Sequence, residues 1–322
     1  MTDPISRSID DAGSKARSPL GGDWLAYVVL VLAVLFMVGN VIAGRAVREV
    51  SPPGGLTFWR SVLAVVLLLP FVPFVWRTQI PRLLAHWRFF FFLGLVWGVG
   101  GHFTVVTGLQ TTTAINAGLI ATTQPALAFL GAWLIFGDPI SRHQIAGVVV
   151  GLAGVTVIVA RGDLDVLLSL DFVPGDFWVQ AGMVGFVVFT VLIKRLPPAI
   201  NPLAAIGAVA FAAAICLAPV YAYEVLVMDR ITHADVPTVQ AIFYLAICAT
   251  LIAVPFLHIG VSRLGPGRAT VFFYLSPVFA AGLAITLLGE SFHGYHGAGM
   301  VLVLAGIALA NRRARRRGTQ DG

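Results

Sequence analysis

The chain has 322 residues, of which 58% are hydrophobic and only 11% are charged. Soluble domains carry roughly 25% charged residues, so this composition excludes an ordinary soluble domain and is typical of an all-α integral membrane protein. The formal net charge is +6, but the basic residues lie in short loops and at the C-terminus rather than on a polar domain, which argues against nucleic acid as a partner.

Ten apolar runs follow one another along the chain, each near the length of about 20 residues that crosses a bilayer as a helix. Residues 1–22 precede them and are rich in Ser, Asp and Arg, which predicts a disordered cytoplasmic tail. Residues 312–322 follow them as a basic cytoplasmic tail. The predicted helices are Trp24–Gly44, Leu56–Trp76, Phe89–Gln110, Thr113–Gly137, His143–Ala160, Phe177–Ile193, Pro202–Tyr223, Val236–Ser262, Ala269–Gly289 and Tyr295–Ala310.

Residues 23–160 and 176–311 are related by an offset of 152 residues. Each copy contains five predicted helices, and an odd number requires the second copy to cross the membrane in the opposite direction. We therefore predict two inverted five-helix repeats joined by an acidic extracytoplasmic linker, residues 161–175, an architecture typical of secondary transporters. The matching residues are Gly108 and Gly260, Pro125 and Pro277, Gly137 and Gly289, Asp138 and Glu290, Gly147 and Gly299, and Gly154 and Gly306.

The basic residues predict the orientation in the membrane. Of the 21 Lys and Arg residues, sixteen fall in segments on the side of the N-terminus, four fall on the other side, and Arg60 falls within the second helix. Loops that carry Lys and Arg stay in the cytoplasm. Both termini are therefore expected in the cytoplasm, with the chain as a multi-pass protein of the plasma (inner) membrane whose basic C-terminal tail contacts anionic lipid.

Short motifs in both copies resemble those of a known family. They are Gly39-Asn40, Phe58-Trp59-Arg60, Thr113-Ala114, Gln124-Pro125, Gly137-Asp138, Ser276-Pro277 and Gly289-Glu290. Over roughly residues 23–311 the chain resembles the EamA-type branch of the drug/metabolite transporter superfamily. The resemblance implies ten helices in two repeats with both ends cytoplasmic, and transport of amino acids, other metabolites or toxic compounds. Asp138 stands where that family usually has Glu.

The distribution of ionisable residues limits the chemistry. All 15 acidic residues lie in tails, loops or helix ends, so a proton relay of buried carboxylates is excluded and an organic polycation is disfavoured as substrate. A neutral, zwitterionic or anionic solute is expected. HExxH, P-loop, GxGxxG and GxSxG motifs are absent from the sequence, so we predict no enzyme and no cofactor. Cys216 and Cys248 lie in apolar runs and His293 and His296 in a loop, so no metal site is predicted.

Two prolines predict the position of the substrate site. Pro125 and Pro277 fall at the middle of the fourth and ninth predicted helices, where proline leaves a backbone carbonyl without its hydrogen bond. Paired breaks at the bilayer midplane are typical of substrate sites in inverted-repeat carriers. The alternative is a pair of static kinks whose polar neighbours satisfy the freed carbonyls. Those neighbours, the candidate substrate ligands, are Thr123, Gln124, Tyr274 and Ser276.

Further polar residues in the predicted helices are candidates for the same site, with packing or interhelical hydrogen bonds as the alternative for each. Asn116 shares a helical face with Thr123. Arg60, near the outer end of the second helix, either extends to the membrane surface or binds a substrate carboxylate. The other candidates are Asn40, Trp97 as a stacking wall, and the histidines His102 and His258, which lie at different depths and are candidate proton or anion sites.

The sequence therefore predicts a secondary transporter that exports a small organic metabolite by alternating access around a midplane site. An uncoupled facilitator of the same fold is the first alternative. A membrane-embedded enzyme or lipid-handling protein that uses His102 as a base is the second. Glycine-rich faces on the third and fifth helices are expected to pack helices together, and they leave a homodimer open.

Overall fold

The computed structural model describes residues 24–71, 77–112, 117, 120–137, 139–159, 165, 174–197, 199–276, 278–279 and 294–311. Both predicted tails, most of the linker, Asn116, Pro277 and the second half of the ninth predicted helix lie outside the described residues. Within them, every regular element is helical. The helices are α1 (Trp24–Ala46), α2 (Pro53–Leu68), α3 (Trp87–Gly108), α4 (Gln124–Phe136), α5 (Arg142–Val159), α6 (Pro174–Leu192), α7 (Pro202–Leu226), α8 (Val236–Leu264), α9 (Pro266–Thr270) and α10 (Gly294–Ala310).

Five of these helices, α1, α3, α6, α7 and α8, are each long and apolar enough to cross a membrane, and α2, α4, α5 and α10 are shorter apolar helices. A 3-10 turn, Val271–Tyr274, continues α9. A short helix that the sequence did not predict, Arg77–Ala85, lies between α2 and α3. Within the described residues the chain is thus an all-α integral membrane protein, and its helices follow one another in the predicted order of two five-helix repeats.

Local sequence explains where the helices begin and end. Pro53 and Pro202 occupy the first turns of α2 and α7, where proline loses no intrahelical hydrogen bond. The side chain of Asn201 caps α7 by accepting a hydrogen bond from the backbone N–H of Leu203 at 2.8 Å. At the end of α4, Gly137 has φ of +71°, a left-handed conformation that stops a helix and that glycine adopts without strain.

The fourth span differs from its predicted form. One helix was expected from Thr113 to Gly137 with Pro125 at its middle. Instead, a turn at residues 122–123 is followed by a new helix that begins at Gln124. Pro125 lies in the first turn of this helix, where its missing N–H is not needed. The span is therefore interrupted beside Pro125 rather than kinked at it.

The packing of α5 against α10 shows that the repeats are inverted. A Cβ on Gly147 would lie 2.5 Å from the backbone nitrogen of Ala310, and one on Gly154 would lie 2.7 Å from that of Val303. Residue numbers that increase along α5 meet residue numbers that decrease along α10, so the two helices are antiparallel. They are nevertheless equivalent by the repeat offset. Glycine permits this close approach. The glycines predicted as a packing face of α5 therefore form a contact between the repeats.

Contacts between the repeats also place the centre of the molecule. Helix α1 packs against α8, and α6 packs against α3, which is the same contact seen from the other repeat because α1 corresponds to α6 and α3 to α8. Helix α2 packs against its own equivalent, α7. On α3, Gly94 and Gly98 lie against Ala212 and Ala213 of α7. Helices α1, α2, α3 and α8 consequently meet around a common point.

Candidate functional site

Arg60 lies at that meeting point. It is seven residues into α2, about 10 Å along the helix from Pro53, and its side chain is only 1% exposed. The expectation that it extends to the membrane surface is therefore not met. The alternative, that Arg60 binds a substrate carboxylate, stays a prediction with which its inward position is compatible.

Three hydrogen bonds hold the guanidinium, each to a different helix. Nη1 donates to Oδ1 of Asn40 on α1 at 2.8 Å and to Nδ1 of His102 on α3 at 3.1 Å. Nη2 donates to the hydroxyl of Thr250 on α8 at 2.8 Å. The guanidinium carbon lies 5.3 Å from the centre of the Trp97 ring, within cation–π range. We call Asn40, Arg60, Trp97, His102 and Thr250 the arginine cluster.

Two π-helices bring α3 and α8 to this cluster. One covers Leu95–Phe103 in α3 and the other Ile247–Ile252 in α8. Their first residues, Leu95 and Ile247, are 152 positions apart, so the same backbone irregularity occurs at equivalent places in both copies. A π-helix widens the turn and is frequent at functional sites. The hydroxyl of Thr250 donates to the carbonyl of Leu245, five residues back, at 2.8 Å while it accepts from Arg60.

The charge of Arg60 is not balanced by an acid. No carboxylate contacts it within the described part of the chain, and its Nε–H has no hydrogen-bond partner. A guanidinium has five N–H groups. Among the described residues Nη1 uses both of its own and Nη2 uses one, so the Nε–H and one Nη2–H have no hydrogen-bond partner there. Burying such a group is costly unless an anion completes it.

His102 is buried between aromatic rings. Its imidazole lies 4.5 Å from the ring centre of Trp97 and 4.8 Å from that of Phe186 on α6. Arginine can only donate hydrogen bonds, so Nδ1 of His102 must accept the bond from Arg60. The ring is therefore neutral, with its proton on Nε2. Trp97, 2% exposed, thus belongs to the wall of the arginine cluster.

The residues before Pro125 form a second polar group close to the first. Gln124 is buried and donates from Nε2 to the sulfur of Met183 on α6 at 3.1 Å. The hydroxyl of Thr123 donates to the carbonyl of Ile120 at 2.7 Å. Met183 lies one turn from Phe186, which contacts His102. Gln124 and His102 of the arginine cluster therefore contact adjoining turns of α6.

The residues before Pro277 lie elsewhere. Tyr274 is fully buried against Gly151 of α5, and its hydroxyl donates to the carbonyl of Val148 at 3.3 Å. Ser276 is half-buried. Tyr274 therefore packs the interface of α5 with the second repeat and has no described contact with Gln124.

His258 is separate from His102. It is half-buried and lines a cavity of about 10 Å³ beside Phe90 and Phe189, room for about one water molecule. Its Nδ1 has no partner. It has no described contact with a member of the arginine cluster, and the different depths of the two histidines in the membrane stay a prediction.

Two buried acids at helix ends were missed by the sequence analysis. Glu224, in the last turn of α7, accepts hydrogen bonds from the backbone N–H groups of Gly54 and Gly55, each at 2.9 Å, and so caps α2. Asp176, at the start of α6, accepts a hydrogen bond from the hydroxyl of Thr112. The Gly54-Gly55 pair was a usable signal, because a Cβ on Gly54 would lie 2.4 Å from Glu224 Oε2.

The fold and the buried polar cluster define a ten-helix membrane protein built as two inverted repeats around a polar centre. The chain belongs to the EamA-like transporter family, whose model matches residues 24–160 and 173–312. The resemblance found in the sequence is thereby confirmed, and the protein is a transporter of the multi-pass membrane class.

Two relatives and one solved structure are similar to the chain. It is 27% identical to the uncharacterized transporter YetK of Bacillus subtilis over 293 residues, which cover 88% of this chain and 85% of the relative. It is 26% identical to a probable amino-acid metabolite efflux pump of Salmonella typhimurium, over 60% of this chain and 67% of the relative. One protein of known crystal structure, 20% identical, superposes with a TM-score of 0.68 over 88% of this chain and 96% of its own, which shows the shared fold.

Proposed function

We propose that this protein is a secondary carrier that exports a small metabolite bearing a carboxylate, such as an amino acid, by alternating access. The observation that carries the proposal is Arg60, a fully buried guanidinium that, among the described residues, contacts no acid and has two N–H groups without a hydrogen-bond partner. A membrane protein tolerates an ionisable residue at such a position chiefly for function.

The geometry of Arg60 suits a carboxylate. Arginine binds carboxylates with two parallel N–H···O bonds, and one such pair uses Nε and Nη2, the two nitrogens that retain a free N–H here. Asn40, His102 and Thr250 fix the plane of the guanidinium through the other donors. Trp97 and Phe186 supply apolar walls. Gln124 of α4, which contacts α6 at Met183 one turn from Phe186, offers an amide to the rest of the substrate.

Access to Arg60 requires the repeats to move. Arg60 and Trp97 are 1% and 2% exposed, so solvent does not reach the guanidinium in this conformation. At the end predicted to be extracytoplasmic, Glu224 of the second repeat holds α2 of the first. At the opposite end, Asn201 donates from its backbone to Oε1 of Gln79 at 3.1 Å. Rocking that opens one set of these contacts at a time would expose Arg60 alternately.

Orientation and direction rest on sequence. The charge bias supports a plasma (inner) membrane protein with cytoplasmic termini, and the name of the Salmonella relative supports export of an amino-acid metabolite. An enzyme that uses His102 as a base is disfavoured because its Nδ1 is occupied by Arg60. An uncoupled facilitator remains the alternative within transport. The lipid bilayer and the solute are the partners proposed, with a homodimer left open.

Counterflow in proteoliposomes tests the proposal. Vesicles loaded with unlabelled amino acids or small organic acids should take up the labelled compound transiently and release it chemically unchanged. We expect Arg60→Gln to lower this rate at least about tenfold, since a charged hydrogen bond contributes roughly 1.5–3 kcal/mol. Arg48→Gln, the same change at an exposed loop residue paired with Glu49, is the matched control.

The fold should survive Arg60→Gln because no acid loses its partner. Size-exclusion profile and melting temperature check this. Arg60→Lys, which keeps the charge but loses the two-pronged geometry, separates charge from shape. Counterflow at the wild-type rate in Arg60→Gln would place the substrate elsewhere, and a chemically altered product would favour the enzyme.

A further inference from the structure

The hydrogen bond between Arg60 and His102 determines where the imidazole can take up a proton. The two side chains are joined through Nη1 and Nδ1 at 3.1 Å, and both are buried. Nδ1 must be the acceptor, so a proton added to the ring has to go to the very atom that faces the guanidinium. In the empty site this would place two buried cations in contact, which strongly disfavours protonation.

Among the described residues, Arg60 is the charged group in contact with the imidazole. The other neighbours of His102 there are the rings of Trp97 and Phe186. No acid therefore stabilises a protonated ring within the described residues. On α6 and α7, which pack against this part of α3, the ionisable side chains are Asp176, Cys216, Tyr221, Tyr223 and Glu224, and none of them contacts the ring.

A bound carboxylate reverses this balance. On the unfilled Nε and Nη2 edge of Arg60 it neutralises the guanidinium and adds an acceptor beside the cluster. Protonated His102 is then no longer the second of two unbalanced cations, and the aromatic rings of Trp97 and Phe186 can support its charge. Since coupling between two ligands is reciprocal, a proton on His102 must strengthen carboxylate binding by the same factor.

We propose that His102 is the binding site of a proton that is carried together with the substrate carboxylate. This proposal rests on the proposed function. The proton comes from the solvent on the side where the substrate enters, adds to Nδ1 and leaves with the substrate on the other side. The empty carrier returns with neutral His102. This predicts cotransport of anion and proton in the same direction, whereas a carrier whose substrate and proton compete for one carboxylate exchanges them.

Proton uptake on ligand binding is the direct test. Purified full-length protein in weakly buffered detergent solution near pH 7 would be mixed with propionate already adjusted to that pH, while an indicator dye follows the proton. Propionamide, the neutral analogue, and chloride at equal ionic strength are the control ligands. We expect uptake that approaches one proton per bound propionate, and none with either control. A propionate-induced rise in melting temperature reports binding independently of the proton.

Variants separate this inference from the proposed function. His102→Gln should lose proton uptake and the pH dependence of the propionate affinity, and its rise in melting temperature should require more propionate because no proton strengthens binding. His258→Gln, the same change at the other membrane histidine, should keep wild-type uptake and affinity. A melting temperature that propionate does not move in wild-type protein would overturn the carboxylate site itself. A rise without proton uptake would leave that site standing and overturn the proton site, and so would uptake that His258→Gln removes and His102→Gln does not.

Wild-type protein alone provides a check should His102→Gln fail to fold. If a proton binds with propionate, the affinity must weaken as the pH rises from about 6 to about 8, by up to roughly tenfold per unit. An affinity that does not change over this range would overturn the inference.

Discussion

The centres of α3 and α8 have the same backbone conformation but different side chains. Both contain a π-helix that begins at equivalent residues, Leu95 and Ile247. Yet the first repeat supplies four of the five residues of the arginine cluster, and the second supplies Thr250 alone. At the equivalents of Asn40, Arg60, Trp97 and His102 the second repeat has Leu192, Ala212, Ala249 and Val254.

The two repeats therefore share the backbone irregularity and the close packing of their helices, whereas the polar side chains of the arginine cluster come almost entirely from the first. Ala212, Ala249 and Val254 are buried apolar residues. A second guanidinium at the same depth would add another unbalanced charge where one already has no acid. A single charged site between the two repeats therefore avoids burying a second guanidinium without an acid.

The largest effect is expected when the second repeat is made to resemble the first. Ala212→Arg should prevent folding, because a Cβ on Gly94 would already lie 2.5 Å from the Cβ of Ala212 and a charge within the membrane adds roughly 2.5–3.5 kcal/mol. Ala212→Leu tests size alone, at about 1–3 kcal/mol. The yield of monodisperse protein and its melting temperature decide between them. Normal folding of Ala212→Arg would show that the second repeat tolerates an equivalent site.

Removal of the contribution of the second repeat should have the next largest effect. Thr250→Val deletes the hydroxyl that accepts from Arg60 and should raise the half-saturation concentration for counterflow about tenfold, because a hydrogen bond to a charged group contributes roughly 1.5–3 kcal/mol. Thr190→Val is the matched control, since the Thr190 hydroxyl bonds only to the carbonyl of Phe186. Equal kinetics in the two variants would mean that Thr250 does not position Arg60.

A smaller effect is expected at the residues that precede the two prolines. Gln124 and Ser276 are equivalent by the repeat offset, but the structure places Gln124 near the arginine cluster. Gln124→Ala should raise half-saturation several-fold and Ser276→Ala should leave it within about twofold, since an amide makes more hydrogen bonds than a hydroxyl. Initial rates in vesicles, normalised to folded protein, measure this. The reverse order would favour a substrate site built on the second repeat.

The smallest effect is expected at the starts of α3 and α8. Asp235 caps α8, where the Thr238 side chain and, at 2.8 Å, its backbone N–H hold the pKa of this carboxyl below its ordinary value. His86 stands at the start of α3 without a side-chain cap. A carboxyl whose pKa is lowered on folding stabilises the folded state at pH values above its unfolded pKa of about 4. This stabilisation is lost as the pH falls through the pKa of the folded state.

Asp235→Ala should therefore lower the melting temperature slightly at neutral pH, and the difference from wild type should shrink below pH of about 4. A gap between wild type and Asp235→Ala that stays constant down to acid pH would show that the charge of the cap is unimportant.

Much of the fold could be predicted because it depends on the order of apolar runs and repeated residues along the sequence. A run of apolar residues crosses a membrane whatever its neighbours are, and the 152-residue offset with five spans per copy requires inversion. The prediction failed at Pro125 because a proline in an apolar run is compatible both with a kinked helix and with the first turn of a new one. Only the packing of α4 against α6 and α9 distinguishes these possibilities.

The sequence by itself therefore determined the membrane class, the number of spans, the repeat and the family. It also supplied Asn40, Arg60, Trp97 and His102 as separate candidates. Only the tertiary structure decided that they form one cluster, because the bonds of Arg60 to His102 and Thr250 join residues 42 and 190 positions apart. No residue type encodes the π-helices that aim these side chains at one another, and the burial of Arg60 depends on four helices meeting around it.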